Sequence, residues 1–473
     1  LDFVNDWDLF ELRIRIFYDT WYNEVRKLHT KDKFIDISEC KINNILNEPR
    51  NLLELTNSDN FKESYFNKHF DRFKTMGRVK RFKKYRNRAI DGKLVFEQRT
   101  VDLSRQNISR IIKKERNKPY SYWSALPLPV NNVSRIIGCI KNKRPNLRYK
   151  PTYPENHYIK NILTANNESF QEYCQEHRCT VLPGAWRFSC VNLIDMCAPN
   201  SQGFTLDEML AGLKSRRHLE LNLPKLNLYR ADFVLGLGVN PKANPGVNTS
   251  KFLGRVRRRS VGFTKKCAYD LVLAMARGTR VVDKSLIHVG GREKRNIFKL
   301  KGEKRIKTRV TCGQEDVPTL IGQSIVTPLN KALQMMNKGF NWGGRINGRS
   351  NFKQLVNMLD LGDDKLNFTN CNTDFSSHDA HVDENKIVLA FALLRCCFPI
   401  STFYDNVFYY CLSGMIFNRV VLPESGLIYE ITKGILTGHA FTSIINTVCA
   451  FITLSTSIHQ SCSKDIINKT RLQ

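Results

Sequence analysis

The sequence contains no Cys-x-x-Cys pair, although it holds 14 cysteines in 473 residues. Structural zinc sites are commonly built from two such knuckles, so a zinc-stapled fold is not indicated. Nor do the cysteines form a disulfide framework. Cys396 and Cys397 are adjacent, and Cys174, His177 and Cys179 cluster without a second pair. They read as free thiols of a reducing compartment. Acidic residues are scarce: 44 Asp and Glu stand against 74 Lys and Arg, a formal charge of +30. That imbalance does not choose a fold. It favours a polyanionic partner, because basic surface gains affinity by releasing counterions from phosphates. No internal repeat or low-complexity tract is present, and no signal-peptide pattern opens the chain. The first residue is Leu1 rather than Met, so the chain is expected to start inside a longer frame.

Long apolar runs are also lacking, with one exception. Residues 435–458, ILTGHAFTSIINTVCAFITLSTSI, hold no Lys, Arg, Asp or Glu and are long enough to cross a bilayer. They contain His439, Asn446 and many Ser and Thr, and no second segment of this kind accompanies them. A buried helix is the expected reading, a membrane anchor the alternative.

The N-terminal stretch NDWDLFELRIRIFYDTWYNEVRKL has apolar residues at helical spacing and reads as one or two amphipathic helices. RVKRFKKYRNR, residues 78–88, interleaves base with aromatics, as a solvated helix face or a nucleic-acid contact would. Residues 118–155 are broken by Pro and Asn. In LGVNPKANPGVNTSKFLGRVRRRS, residues 237–260, Pro241, Pro245, Gly246 and Asn248 predict an ordered turn rather than a helix. Arg255, Arg257, Arg258 and Arg259 follow at once, so the segment could guide a phosphate backbone or be a plain surface loop. Residues 291–309, GREKRNIFKLKGEKRIKTR, carry nine Lys and Arg against two Glu, and LKGEKR reads as the turn of a basic hairpin suited to triphosphates.

From residue 350 onward the patterning is more regular. KLNFTNCNTD predicts a strand ending at Asp374. DENKIVLAFALLRCCF predicts a helix with an acidic start. NRVVLPESGLIYEIT, residues 418–432, predicts a β-hairpin around Pro-Glu-Ser-Gly. A glycine loop and the long uncharged helix come next. Nucleotidyl transfer needs these parts together. Two Mg²⁺ ions about 3.5–4 Å apart stabilise the attacking and leaving oxygens. Carboxylates hold the metals, basic groups neutralise the triphosphate, and a glycine loop allows close approach to the nucleotide.

An Asp-x4-Asp pair alone says little, but the joint pattern resembles the viral RNA-dependent RNA polymerases. DFSSHD resembles their motif A. TGHAFTSIIN resembles motif B, with Gly438, Thr442 and Asn446 at its spacing and Thr437 in place of the usual Ser. GREK through KTRV resembles motif F, and KANPGVNT is a looser match to motif G. The likeness covers residues 237–473 and is nearest to partitivirus-like and picornavirus-like enzymes. It implies an α+β right-hand polymerase: fingers plus a partial palm, an antiparallel sheet with packed helices, and no thumb. Residues 1–230 would be an N-terminal extension and fingers, 231–350 fingers with the motif G-like and motif F-like segments, and 351–473 the palm with motifs A and B.

The resemblance also implies roles. Asp374 would be the catalytic residue and metal ligand, binding Mg²⁺ or Mn²⁺. Asp379 and Asn446 would recognise the ribose 2′-hydroxyl of the incoming NTP. Lys294, Lys307 and Arg309 would hold its phosphates, and Thr437, Gly438 and Thr442 would shape the loop beside the nascent base pair. Gly246, Arg257 and Arg258 would meet the RNA template. Reverse transcriptases usually carry a bulky residue at the position of Asp379, so a hydrogen-bonding Asp there favours RNA synthesis.

One part of the pattern is missing. Motif C, a Gly-Asp-Asp turn, should follow motif B, whereas the only such tripeptide is Gly362-Asp363-Asp364, ahead of motif A. Three explanations stand: a chain truncated before motif C, a permuted palm using Asp363 and Asp364, or a palm completed by a second polypeptide. Partners would be RNA template and product and NTPs, in the host cytoplasm or the virion. The rival classes are a non-catalytic RNA-binding protein, a reverse transcriptase-like enzyme and a membrane-anchored protein.

Overall fold

The computed structural model describes residues 6–31, 101–102, 128, 130–140, 177–182, 191–199, 203–216, 223–226, 233–292, 294–299, 309–335, 377–423 and 425–463, with a few isolated positions between 158 and 172. The strand expected before Asp374, Asp374 itself, Lys307, the Gly362-Asp363-Asp364 tripeptide and the basic run 78–88 lie outside the described residues.

The N-terminal helix α1 (Trp7–Thr20) continues through a π-turn (Trp21–Val25) into α2 (Arg26–Lys31). Asp6 caps it, accepting from the Leu9 amide at 3.1 Å. Trp7, Phe10, Ile14, Phe17, Trp21 and Val25 recur every three or four residues and are all buried, which makes one apolar stripe. The further helices used below are α3 (Val191–Met196), α4 (Leu206–Arg216), α5 (Val247–Leu253), α6 (Val261–Ala276), α7 (Asp316–Met335), α8 (His378–His381), α9 (Glu384–Arg395), α10 (Thr402–Ile416) and α11 (Thr442–Ser461).

The stripe of α1 packs into a helical core with α6, α7, α9, α10 and α11. Helix α9 starts as its sequence predicts: Asp383 caps it by accepting from the Lys386 amide at 2.9 Å. Residues Ile387 through Leu394 are then buried on every side, as in a helix at the centre of a domain. Each Val, Leu, Ile or Phe side chain among them contributes on the order of 1.5–3 kcal/mol of transfer free energy. The first turn of α9 is where the N-terminal helix is tied down. Tyr18 and Tyr22 hydroxyls both donate to Asn385 Oδ1, at 2.8 and 2.7 Å. Trp21 Nε1 and Arg26 Nε both donate to Glu384 Oε1, at 3.0 and 2.9 Å.

The main sheet has the strand order β1-β2-β8-β7-β4-β6. Its strands are β1 (Val101–Asp102), β2 (Ser134–Ile140), β4 (Leu286–Arg292), β6 (Arg309–Gly313), β7 (Asn418–Val421) and β8 (Leu427–Ile431). The predicted hairpin is β7–β8, with Val420 opposite Tyr429. The sheet is mixed rather than antiparallel throughout, because β4 and β7 run parallel. Its strands come from all three sequence segments expected to be separate domains.

The basic segment also differs from the simple hairpin expected. β4 and β6 do pair antiparallel, closing at Arg292 opposite Arg309. The strand between them, β5 (Lys294–Lys299), leaves the sheet and pairs with β3 (His177–Leu182) instead. The basic stretch therefore bridges two sheets. A third difference lies in the 237–260 loop. Residues 247–253 are helical, because Pro245 and Gly246 sit ahead of the helix and obstruct only what precedes it.

The uncharged segment 435–458 divides into a loop and helix α11. Ile444, Ile445, Val448, Cys449, Phe451 and Ile452 of the helix face the core. The same buried stripe runs on to Thr456, where α4 comes close enough that a Cβ on Gly212 would lie 2.7 Å from the Thr456 Cα. Among the described residues no helix is long and apolar enough to cross a membrane.

A buried charge cluster joins the N-terminal helix to the sheet. Glu430 on β8 accepts from His29 Nε2 at 3.0 Å, Arg135 Nε at 2.9 Å and Arg419 Nε at 3.3 Å. Burial alone would raise its pKa, but these donors outweigh it and hold the carboxyl down at about 2. Burial lowers His29 to about 4, so near neutrality this is a hydrogen bond from a neutral imidazole, not an ion pair.

Candidate nucleotide site

Asp379 and Asn446 are 67 residues apart in sequence and in contact in the fold: Asn446 Nδ2 donates to Asp379 Oδ1 at 2.7 Å. Asp379 lies in the four-residue helix α8, after Ser377, which takes the left-handed conformation with φ of 51°. Asn446 lies one turn into α11, four residues after Thr442, so both point to the same side of the helix. His378 Nε2 approaches the Asn446 carbonyl at 3.3 Å and adds a second tie between turn and helix.

The turn holding Asp379 is fixed from behind by the loop leaving β8. Its carbonyl accepts from the Ile435 amide at 2.7 Å, and the Val382 carbonyl from the Gly434 amide at 2.9 Å. Gly434 has φ of +77°, and a Cβ there would lie 2.7 Å from the Asp379 carbonyl oxygen. Only glycine fits both the conformation and the approach. Lys433, just before, donates to the Ala198 and Pro199 carbonyls beyond the end of α3, at 3.0 and 3.2 Å.

The glycine loop 437–438 is docked on β6. Thr437 Oγ1 donates to the Val310 carbonyl at 3.0 Å. The Cys312 amide donates to the Thr437 carbonyl at 3.2 Å. Gly438 has φ of +114°, and a Cβ on it would fall 1.9 Å from the Cys312 carbonyl oxygen. Thr442 Oγ1 closes the loop by donating to the Leu436 carbonyl at 2.9 Å. Buried His439 accepts from the Phe441 amide through Nδ1 at 3.2 Å; burial lowers its pKa to about 4. The Phe441 ring packs on Phe391 of α9 with centroids 4.9 Å apart, which seats the start of α11.

The residues predicted to bind nucleotide and RNA therefore do not form a single cluster. Asp379, Asn446, Thr442, Gly438 and Thr437 form one continuous structure. Arg309 starts the strand that carries the glycine loop, and Lys294 starts β5. Gly246, Arg257 and Arg258 lie on the separate 240–260 loop. There Arg257 Nε pairs with buried Asp316 Oδ1 at 2.7 Å, with only 12 % of its side chain exposed. It is engaged within the protein, whereas Arg255 and Arg258 are exposed.

Sequence reasoning missed the partners that hold this loop, Thr249, Glu315 and Asp316. Their one signal was a pair of acids a few residues after the basic stretch 291–309. It also missed the docking of the N-terminal helix on Glu384 and Asn385.

A carboxylate and an amide joined across a turn and a helix, beside a glycine loop docked on β6, make a polar cradle suited to a hydroxylated ligand. Residues 293–472 match the family model described as viral RNA-dependent RNA polymerase. Over this segment the protein is similar to the enzymes that copy RNA from RNA, as the motif resemblance implied. The matched segment includes Asp379, the glycine loop and Asn446, and begins after the 240–260 loop. No curated protein matches the chain.

Proposed function

We propose that this protein binds ribonucleoside triphosphates and template RNA for RNA-directed RNA synthesis, a nucleotidyl transfer. The observation that carries the reading is the Asn446–Asp379 hydrogen bond, set beside a glycine loop held on β6. Asn446 fixes the Asp379 carboxylate by one oxygen, so the pair can present an ordered donor and acceptor to a ribose 2′-hydroxyl. A deoxyribose would leave those groups unpaired, and unpaired polar groups give strong discrimination. Thr437 and Gly438 set the loop beside the base, and Arg309 at the start of β6 and Lys294 at the start of β5 are the basic positions assigned to the phosphates.

The chemistry proposed is two-metal transfer, in which Mg²⁺ or Mn²⁺ stabilises the attacking and leaving oxygens. Among the described residues no group of three or more His, Cys, Asp or Glu could hold a metal. The expected ligand, Asp374, and the Asp363-Asp364 pair of the permuted reading lie outside them. Host cytoplasm is the proposed compartment.

Equilibrium binding of a labelled NTP and the matching dNTP tests this reading on the chain as it stands. Preference for the NTP that disappears in Asn446→Ala supports it. Preference for the dNTP would favour a reverse transcriptase-like enzyme. RNA binding without any nucleotide binding would favour a non-catalytic RNA-binding protein.

A further inference from the structure

We propose that Glu315 and Asp316 are positioning residues that clamp the 240–260 loop to the nucleotide-side strand β6, and so fix where template RNA lies relative to the nucleotide. This rests on the reading of the loop as a template contact given above.

Two consecutive acids hold the loop at separate points. Glu315 Oε2 accepts from Thr249 Oγ1 at 2.8 Å and from the Thr249 amide at 3.2 Å. Asp316 Oδ1 accepts from Arg257 Nε at 2.7 Å. The Asp316 amide also donates to the Pro245 carbonyl at 3.0 Å. Glu315, Asp316 and Thr249 are 5 %, 1 % and 5 % exposed, so water does not compete at these contacts. Hydrogen bonds to charged groups in such surroundings are among the stronger ones.

The approach is as close as backbone allows. Gly246 has φ of +113°, and a Cβ on it would lie 2.5 Å from Glu315 Cδ and 2.7 Å from its Cα. Within the loop, the Arg257 and Arg258 amides donate to the Ala243 and Pro241 carbonyls at 2.8 and 2.9 Å. The loop is thus closed on itself and fastened as one unit. Arg255 and Arg258 are exposed from that fixed backbone, while Arg257 is spent inside the clamp.

The other end of the connection is short. Glu315 follows Cys312 by three residues. The Cys312 amide and carbonyl are the groups that meet Thr437 and Gly438. One strand therefore carries the glycine loop on its backbone and the basic loop on the two side chains that follow it. A purely structural role would place the acids only at the start of α7, where the Glu315 carbonyl accepts from Thr319. It would not require both carboxylates to reach across to another loop.

The test is binding of a fluorescein-labelled single-stranded 20-mer RNA, with Kd and its salt dependence measured beside thermal stability. Arg258→Ala is the contact control, and Thr249→Val, Asp316→Asn and Thr249→Ser probe the clamp. The expected result is wild-type binding that weakens severalfold in Thr249→Val and Asp316→Asn, with recovery in Thr249→Ser, which keeps the hydroxyl. If Asp316→Asn does not fold, the near-isosteric Thr249→Val decides. Weakening in Arg258→Ala with unchanged Kd and salt slope in Thr249→Val overturns the clamp. A wild-type chain that does not bind RNA at all overturns the template reading itself.

Discussion

The Asn446 side-chain amide and the Asp379 carboxylate are held 2.7 Å apart, joining the short turn of the motif A-like segment to the helix of the motif B-like segment. Loss of either group should act on sugar selection before it acts on fold. Asp379→Ala or Asn446→Ala should reduce NTP over dNTP preference about 10- to 100-fold, the worth of one or two polar contacts to a hydroxyl. Competition binding of the two triphosphates measures it. Equal preference in wild type and variant would remove Asp379 from the site.

Gly438→Ala should be among the most damaging single-methyl changes in the chain. The added Cβ would overlap the Cys312 carbonyl oxygen, at 1.9 Å, and φ of +114° is strained for any other residue. The loop must leave β6 to relieve it, giving up the Thr437 contacts. A stability loss of at least about 2 kcal/mol is expected, read from a denaturant midpoint. A wild-type midpoint would mean the loop is not docked on β6.

The first turn of α9 anchors the N-terminal helix, so Asn385→Ala should loosen that helix selectively. Two tyrosine hydroxyls lose their acceptor, at a cost of about 1–3 kcal/mol. Hydrogen exchange should quicken in residues 7–31 while α10 remains protected. Uniform exchange across both would show that the N-terminal helix is held by its apolar stripe alone.

Acidification should expose the neutral state of His29. Its folded pKa is depressed to about 4 from 6.5, largely by burial. A group depressed in this way adds stability above pH 6.5 and loses it as pH falls through 4, because the unfolded chain takes up the proton first. Buried Asp270 and Asp316, raised to about 6 by burial, act in the opposite direction over nearly the same range. Comparison with His29→Gln cancels them. The variant should lose less stability than wild type between pH 6.5 and 4, by up to about 3 kcal/mol, measured by urea unfolding at each pH. Parallel curves would show that His29 does not titrate in this window.

Local patterns were legible in the sequence wherever a short stretch dictated its own structure. The period of Trp7 to Val25 predicts a helix with a buried stripe. Val420 to Leu422 and Leu427 to Tyr429 around a Pro-Glu-Ser-Gly turn predict the β7–β8 hairpin. Gly438, Thr442 and Asn446 predict a glycine loop followed by a helix face. The basic segment defeated the same reasoning: strand β5 chooses β3, which lies more than a hundred residues earlier, over its neighbour β6. Nothing within residues 291–309 encodes that choice.

The sequence by itself determined the motif resemblance, through residue types at fixed spacing, and the large excess of positive charge. Only the tertiary structure decided which charges remain available. Arg257 and Arg258 are neighbours in one basic run, yet one is paired with buried Asp316 and the other is exposed. The reason is physical: a carboxylate withdrawn from water must find a cation or donors within hydrogen-bond reach. Which cation supplies them depends on how distant segments pack, not on the order of residues along the chain.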